Sequence, residues 1–487
     1  MNRFVPIIAL LSVGFSKAQV FDMLVSKTGP DAYRSVQSAV NRIPDNSSSP
    51  YRVFVKNGVY YEKVHIPASK TNVCLIGESV NGVIITYDDY SGKDGITTAG
   101  SYTFWTEGSD FYAENITFEN SAGNVGQAVA IRTTGERQVF KNCRFLGFQD
   151  TYYAHKNRQY NLHCYVEGAT DFIFGDATAV FDSCIINCVK GGQYITAPSD
   201  TKLTSQKSDG SIFYHGLLLR SSLITCNNDV PVSGYYLGRP WQPNASAVYI
   251  NCVLDIHIKP EGWSIWSGTD NHLSGFYGEY QNRGIDGELI DTLSRVDWSH
   301  QISTEDAETY YSLDYFFKKE DVEWDPIPKT MAYNTATNLS VDDFRLTWWA
   351  EVPEGTGFVI FRNDSAIGFS DTTSFYDSTA DVSRINSYRV KSVGPYGNLS
   401  PASDECIVTA SLVREIMNNH KPFQIIMKGN NICFSESVSI KIYDMTGIVV
   451  SSVNNTDCVS LSGLQKGLYF LKAENKPGTI QTKKIIL

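Results

Sequence analysis

Asn142-Cys-Arg-Phe145, His163-Cys-Tyr-Val166 and Ser183-Cys-Ile-Ile186 are three versions of one four-residue pattern, and their starts lie 21 and 20 residues apart. The pattern recurs as Asn115-Ile-Thr-Phe118 before them and as Ser221-Ser-Leu-Ile224 and Asn251-Cys-Val-Leu254 after them, at wider intervals. Its second and fourth positions are small or apolar throughout, which is the period-2 signature of a strand with one face buried. One short strand per coil, with loops extruded where the interval grows, describes the rungs of a parallel β-helix. Equivalent positions then stack, so Cys143, Cys164, Cys184 and Cys252 form an internal ladder. A free Cys packs as a small hydrophobe, and these cysteines are expected to be reduced, although the chain holds ten and could form bridges if exported. Cys188 and Cys226, each four residues beyond a ladder position, are expected to form a second short stack.

The same register carries the chemistry. Asp150 lies seven residues after Cys143, and Asp171 seven residues after Cys164. If both coils turn alike, the two aspartates share one lateral position on adjacent rungs, where parallel strands are about 4.8 Å apart. Two carboxylates that close cannot both ionise freely, so one pKa rises and the pair titrates as a unit. A carboxylate and a carboxylic acid at one site suit a nucleophile and a general acid. Either residue alone reads as a turn residue at a coil corner. In register, and flanked by Gln149 and Phe172-Ile-Phe-Gly175, they form a candidate site.

At 487 residues the chain is expected to hold more than one domain. Asn2-Arg3, the apolar run Phe4 to Phe15 and Ser16-Lys-Ala18 have the order of a signal peptide over residues 1–18. The apolar run is shorter than the ~20 residues of a membrane span, and no Cys follows the cleavage site to accept a lipid. A net charge of −11 argues against a nucleic-acid partner. The histidines are scattered without metal-ligand spacing, so neither a metal nor another cofactor is expected. His155 and His163 read as satisfied polar residues.

Gln127-Ala-Val-Ala130, Gly147-Phe-Gln-Asp-Thr151, Asp171-Phe-Ile-Phe-Gly175 and Leu237-Gly-Arg-Pro-Trp241 resemble, in order, the four signature blocks of pectin methylesterases. Gly58-Val-Tyr-Tyr-Glu62, Ile258-Lys-Pro-Glu-Gly-Trp263 and Arg295-Val-Asp-Trp-Ser299 resemble further family blocks, and the likeness spans roughly residues 22 to 320. The resemblance implies a right-handed parallel β-helix with its site in an outer cleft. It also implies that methyl-esterified homogalacturonan is hydrolysed to pectate and methanol. Under it Asp171 is the nucleophile, Asp150 the acid and then the base, and Gln127 and Gln149 the oxyanion donors, while Arg239 bonds Asp171. Thr103, Gln127, Arg239, Trp241, Tyr152 and Phe174 are the implied substrate contacts. Asp176 stands where family members often carry Asn, and if it points inward it raises the pKa values of the pair. A lyase on the same fold would want calcium-binding carboxylates and a basic residue, which this set lacks. A catalytically dead relative would not need both aspartates and Arg239.

After Trp324-Asp-Pro326 short alternating strands, including Leu346-Thr-Trp-Trp349 and Ser387-Tyr-Arg-Val390, suggest a β-sandwich. Trp348 and Tyr388 resemble the core Trp and corner Tyr of fibronectin type III modules. From about residue 414, Ser439 to Gly447, Leu461 to Tyr469 and Lys483-Lys-Ile-Ile-Leu487 resemble a C-terminal sorting domain of the type IX secretion system. The expectation is therefore all-β: a leader (1–18), a β-helix (19–322) and two small β-sandwiches (326–410 and 414–487). The expected product is a monomer that crosses the periplasm, engages an outer-membrane secretion machinery and ends in the medium or at the cell surface.

Overall fold

The structure, a computed structural model, describes residues 20–320, 322–331, 333–351, 357–381, 383–408, 423–444, 448–475 and 480–487. The expected leader, the boundary near residue 414 and Met445-Thr-Gly447 lie outside the described residues.

The first residue of every repeat turns the chain through left-handed backbone. Asn115, Asn142, His163, Ser183, Ser221 and Asn251 all have φ between 49° and 59°, and Gln281 follows at 45°. Non-glycine residues rarely adopt this region, Asn and His more readily than most. The next residue in each coil, from Ile116 through Cys143, Cys164, Cys184, Ser222 and Cys252 to Asn282, is at most 5 % exposed. The ladder is thus real, and its cysteines are free thiols. They do more than fill space. Sγ of Cys143, Cys164, Cys184 and Cys252 reaches carbonyls of Ala113, Phe140, Asn161 and Leu219 on the preceding coil at 3.4–3.6 Å. An S–H is a weak donor small enough for a packed corner. Where the ladder changes type, Ser222 Oγ and Asn282 Oδ1 accept the backbone N–H of Cys184 and Cys252 instead.

The fourth repeat position stacks in the same way. Phe118, Phe145, Val166, Ile186, Ile224 and Leu254 are successive register partners. All are buried, Phe118 against Phe145 face to face. Each fully buried apolar side chain contributes about 1.5–3 kcal/mol relative to exposure. Cys188 and Cys226 pair in register, as expected.

Three parallel sheets result, of eleven, seven and nine strands, each linking strands from successive coils. The seven-stranded sheet runs from Val64–Ile66 through Phe104–Thr106, Ile131–Thr133, Tyr152–Ala154, Thr170–Gly175 and Tyr194–Pro198 to Tyr236–Gly238. It carries the candidate site.

This β-helix belongs to one compact unit; the other comprises residues 335–351, 359–391 and 402–487. The second unit is built from antiparallel sheets. In it Trp348 and Tyr388 are buried, and the Tyr388 hydroxyl donates to Asp377. A separate apolar cluster includes Ile432, Ile440, Ile442, Leu471 and Ala473. Cys433 and Cys458 form a disulfide there. The repeat could not reveal it, because these two cysteines stand outside the ladder and meet only as directly opposed residues of two antiparallel strands.

Candidate active site

Asp150 and Asp171 both sit at left-handed corners, with φ of 65° and 50°. Gln149 bridges Thr170 on one side of them, and Tyr152 pairs with Ile173 on the other. The same 21-residue offset therefore holds on both flanks, and the aspartates occupy equivalent positions on adjacent rungs. Both are buried, at 6 % and 5 % exposure. Arg239, from the end of the next-but-one strand of the sheet, clamps Asp171 through two bonds, Nε to Oδ1 at 2.9 Å and Nη2 to Oδ2 at 2.6 Å. Its guanidinium lies between the rings of Tyr194 (3.8 Å) and Trp266 (4.2 Å), which fix its plane.

Gln127, Gln149 and Thr170 stack in one column beside the aspartates. Gln127 is exposed and Gln149 half-buried. On the outward face of the sheet, His65, Trp105, Arg132, Tyr153 and Phe174 form a continuous register column. The rings of Tyr153 and Phe174 stack at 4.3 Å, and Trp241 stands 6.0 Å from Phe174. A buried acid pair beside neutral amide donors and a row of flat rings suits acyl chemistry on a carbohydrate chain.

Residues 22–320 match the family model described as pectinesterase. The chain belongs to the pectinesterase family. It is 37 % identical over 311 residues to Pectinesterase 31 of Arabidopsis thaliana, covering 62 % of this chain and 93 % of that protein. The carrot pectin methylesterase structure aligns with a TM-score of 0.56 at 32 % identity, over 62 % of this chain and 94 % of that one. Pectin methylesterase PemA from Erwinia chrysanthemi aligns at 0.53 and 27 %, over 63 % and 99 %. Residues 426–487 match the secretion system C-terminal sorting domain, which marks this pectinesterase for export. No helix among the described residues is long and apolar enough to cross a membrane.

Electrostatics separate the two aspartates of this pectinesterase. Burial pushes the Asp150 carboxyl well above its usual range, and the neighbouring Asp171 charge adds to this. The Gln149 side chain and the Arg239 charge oppose the rise without cancelling it. Asp171 is raised too, again by burial, but Arg239 works against that through its hydrogen bonds and its charge. Arg239 therefore limits the rise in Asp171 and does not abolish it.

Three expectations need correction. Thr103 is fully buried and its hydroxyl donates to the Glu119 carbonyl at 2.8 Å, so it braces the sheet and cannot touch substrate. Tyr152 points inward: it pairs with Ile131 and Ile173, packs edge-on against Phe145 and Phe181, and is fully buried. The outward tyrosine is its neighbour Tyr153. The register contained that signal, since Tyr153 aligns with the charged Arg132 and Tyr152 with apolar Ile131. Asp176 has Lys202, Lys156 and Asp200 as its charged neighbours, and neither aspartate of the pair is among them. Gly175, just before Asp176, has φ 124°, and a Cβ there would lie 2.0 Å from the Ala154 carbonyl, so only glycine fits this turn. His155 stacks on Tyr153 and bonds Arg132, while His163 is an exposed corner residue. Trp266, Tyr194 and Arg132 carry no signal in the sequence, because they lie outside the repeat pattern and the family blocks.

Proposed function

We propose that this pectinesterase cleaves the methyl esters of galacturonate units in pectin, with Asp171 as nucleophile and Asp150 as acid and then base. The observation that carries this assignment is the stacked aspartate pair of which only Asp171 is clamped by Arg239. In the first step an Asp171 oxygen attacks the ester carbonyl carbon and the carbonyl becomes an oxyanion. The amides of Gln127 and Gln149 donate to that oxyanion; being neutral, they stabilise it without pairing off the aspartates. The intermediate collapses as the carbon–methoxy bond breaks, and Asp150 gives its proton to departing methanol. The acyl group is left as an anhydride on Asp171. Asp150, now ionised, takes a proton from water, which attacks the same carbon; the anhydride bond breaks and Asp171 returns as carboxylate. The raised Asp150 pKa supports the acid role, because the group arrives protonated.

Arg239 orients Asp171, and the half-buried Trp241 offers a flat face to the sugar chain, backed by Phe174 and Tyr153, which at 3 % and 9 % exposure support it more than they contact substrate. For the rest of the chain, we read residues 326–410 as a fibronectin-like spacer. Residues 414–487 we read as an address for type IX export through the periplasm, to the medium or the cell surface. Methanol release from methyl-esterified polygalacturonate tests the reaction. Unsaturated oligosaccharides in place of methanol, lost with chelator and restored by calcium, would assign a lyase instead.

A further inference from the structure

Beyond the aspartate pair, one more set of reactive side chains converges in the β-helix. Cys226 ends the strand Leu223–Cys226 of the nine-stranded sheet, and Asp255 and His257 follow Val253–Leu254, the next strand in that sheet. One donor atom from each of the three, Sγ, a carboxylate oxygen and a ring nitrogen, lies within 4.8 Å of the other two. Cys226 and Asp255 are half-buried, and His257 is fully buried.

His257 supplies the independent sign. Neither of its ring nitrogens has a hydrogen-bond partner, although both are removed from solvent. Leaving a buried polar group unsatisfied is costly, and native structures rarely do so without a reason. The backbone around the ring is well held: Tyr235 N–H donates to the His257 carbonyl at 2.9 Å, and the Tyr235 ring stands edge-on to the imidazole at 5.8 Å. The unsatisfied nitrogens are therefore a feature of the imidazole itself and not of a loose loop. Asp255, in contrast, is already aimed. Its Oδ1 accepts the Ile256 N–H at 2.7 Å and its Oδ2 the Thr225 hydroxyl at 3.2 Å, leaving lone pairs on both oxygens.

We propose that Cys226, Asp255 and His257 bind a divalent first-row metal of the zinc class. A sulfur, an imidazole nitrogen and a carboxylate oxygen are the donors such an ion takes, with bonds of about 2.0–2.3 Å in tetrahedral geometry. That geometry places donors roughly 3.3–3.8 Å apart, so a set spread over as much as 4.8 Å needs to close by up to about 1.5 Å. Three protein donors leave a fourth position for water.

The place of the site gives it a structural role. The segment that begins with Asp255 and His257 runs alongside the strand leading to Arg239: Tyr235 bridges Ile258, Leu237 donates to the Gly262 carbonyl, and Gly238 bridges Trp263. Three residues further on, Trp266 stacks on the Arg239 guanidinium. A metal joining Cys226 to Asp255 and His257 ties this coil to the one before it, and so steadies the wall behind Arg239. It takes no part in the ester chemistry.

The test uses the exported chain, purified under argon without added reductant so that the Cys433–Cys458 bridge stays closed, and stripped with a chelator. Cobalt(II) added to wild type should give a thiolate-to-cobalt charge-transfer band in the near ultraviolet, and one equivalent of zinc should abolish it. Cys226→Ser should lose the band, and His257→Gln should weaken zinc binding at least about 100-fold, the upper end of what loss of an outer-shell partner costs. Cys406→Ser, which removes the other partly accessible thiol, should leave both readouts unchanged. Zinc should raise the melting temperature of wild type and not of His257→Gln. A folded wild-type chain with no band, or a band that survives in Cys226→Ser, would overturn the proposal. Should Cys226→Ser fail to fold, the wild-type cobalt spectrum and His257→Gln still decide.

Discussion

Replacing Arg239 by Met removes the charge while keeping an apolar stem between Tyr194 and Trp266, so it isolates the clamp on Asp171. The pair is largely buried, with side-chain exposures of 19 % for Arg239 and 7 % for Asp171. Removing one partner of a buried pair costs about 3–5 kcal/mol, and the partial exposure of Arg239 places this case near 3. The cost depends on pH in a definite sense. Asp171 is already raised above the unfolded value of about 3.9, and losing Arg239 raises it further. A carboxyl so raised destabilises the fold as pH climbs from the unfolded pKa toward the folded one. Below the unfolded value it is protonated in both states and the penalty vanishes. The variant should therefore melt close to wild type near pH 3.5 and clearly below it at pH 8. In activity, the acidic limb of the kcat/KM profile reports ionisation of Asp171 and should move to higher pH. The alkaline limb should follow, since Arg239 also lowers the Asp150 pKa. Thermal melts across pH and methanol-release profiles measure both effects. A variant with wild-type stability at pH 8 and an unmoved acidic limb would refute the clamp.

Tyr152→Phe should cost about 1–3 kcal/mol, because it strands the buried Gln159 and Asn161 carbonyl oxygens, and should leave kcat unchanged. Tyr153→Ala should instead raise KM for pectin, at a stability cost of about 3–5 kcal/mol because the ring is 9 % exposed and stacked on Phe174; an unchanged KM would mean that Tyr153 does not face the sugar chain. Gln149→Ala should lower kcat roughly 10²–10³-fold if its amide serves the oxyanion, whereas a change confined to KM would make it a sugar contact. Asp176→Asn should leave both limbs of the pH profile in place, and a shift of the alkaline limb would show that Asp176 does reach the pair.

The repeat made much of this legible. Left-handed corners at Asn142, His163 and Ser183 fix the register, and counting seven residues on from Cys143 and Cys164 reaches both aspartates. What the count could not supply was direction after a second corner. Asp150 itself adopts left-handed backbone, so strand alternation restarts behind it, and the outward residue is Tyr153 in place of Tyr152. Thr103 failed for a related reason: its hydroxyl is spent on a backbone carbonyl of its own coil, which residue type does not announce. Trp266 reaches Arg239 only because two coils lie side by side. The Cys433–Cys458 bridge likewise depends on antiparallel pairing in the second unit, which lacks the β-helix period.

The central claim is that Asp171 attacks the ester and holds the acyl group. Methanol release by purified Asp171→Asn, on highly methylated polygalacturonate, tests it most directly. The substitution keeps the size of the side chain and a hydrogen-bonding group facing Arg239, and the β-helix core beneath it is unaltered, so the melt should show a folded chain. No release above background is expected at any pH between about 4 and 9. Turnover within about tenfold of wild type, less than 1.4 kcal/mol in the barrier, would contradict it and remove Asp171 from the nucleophile's role.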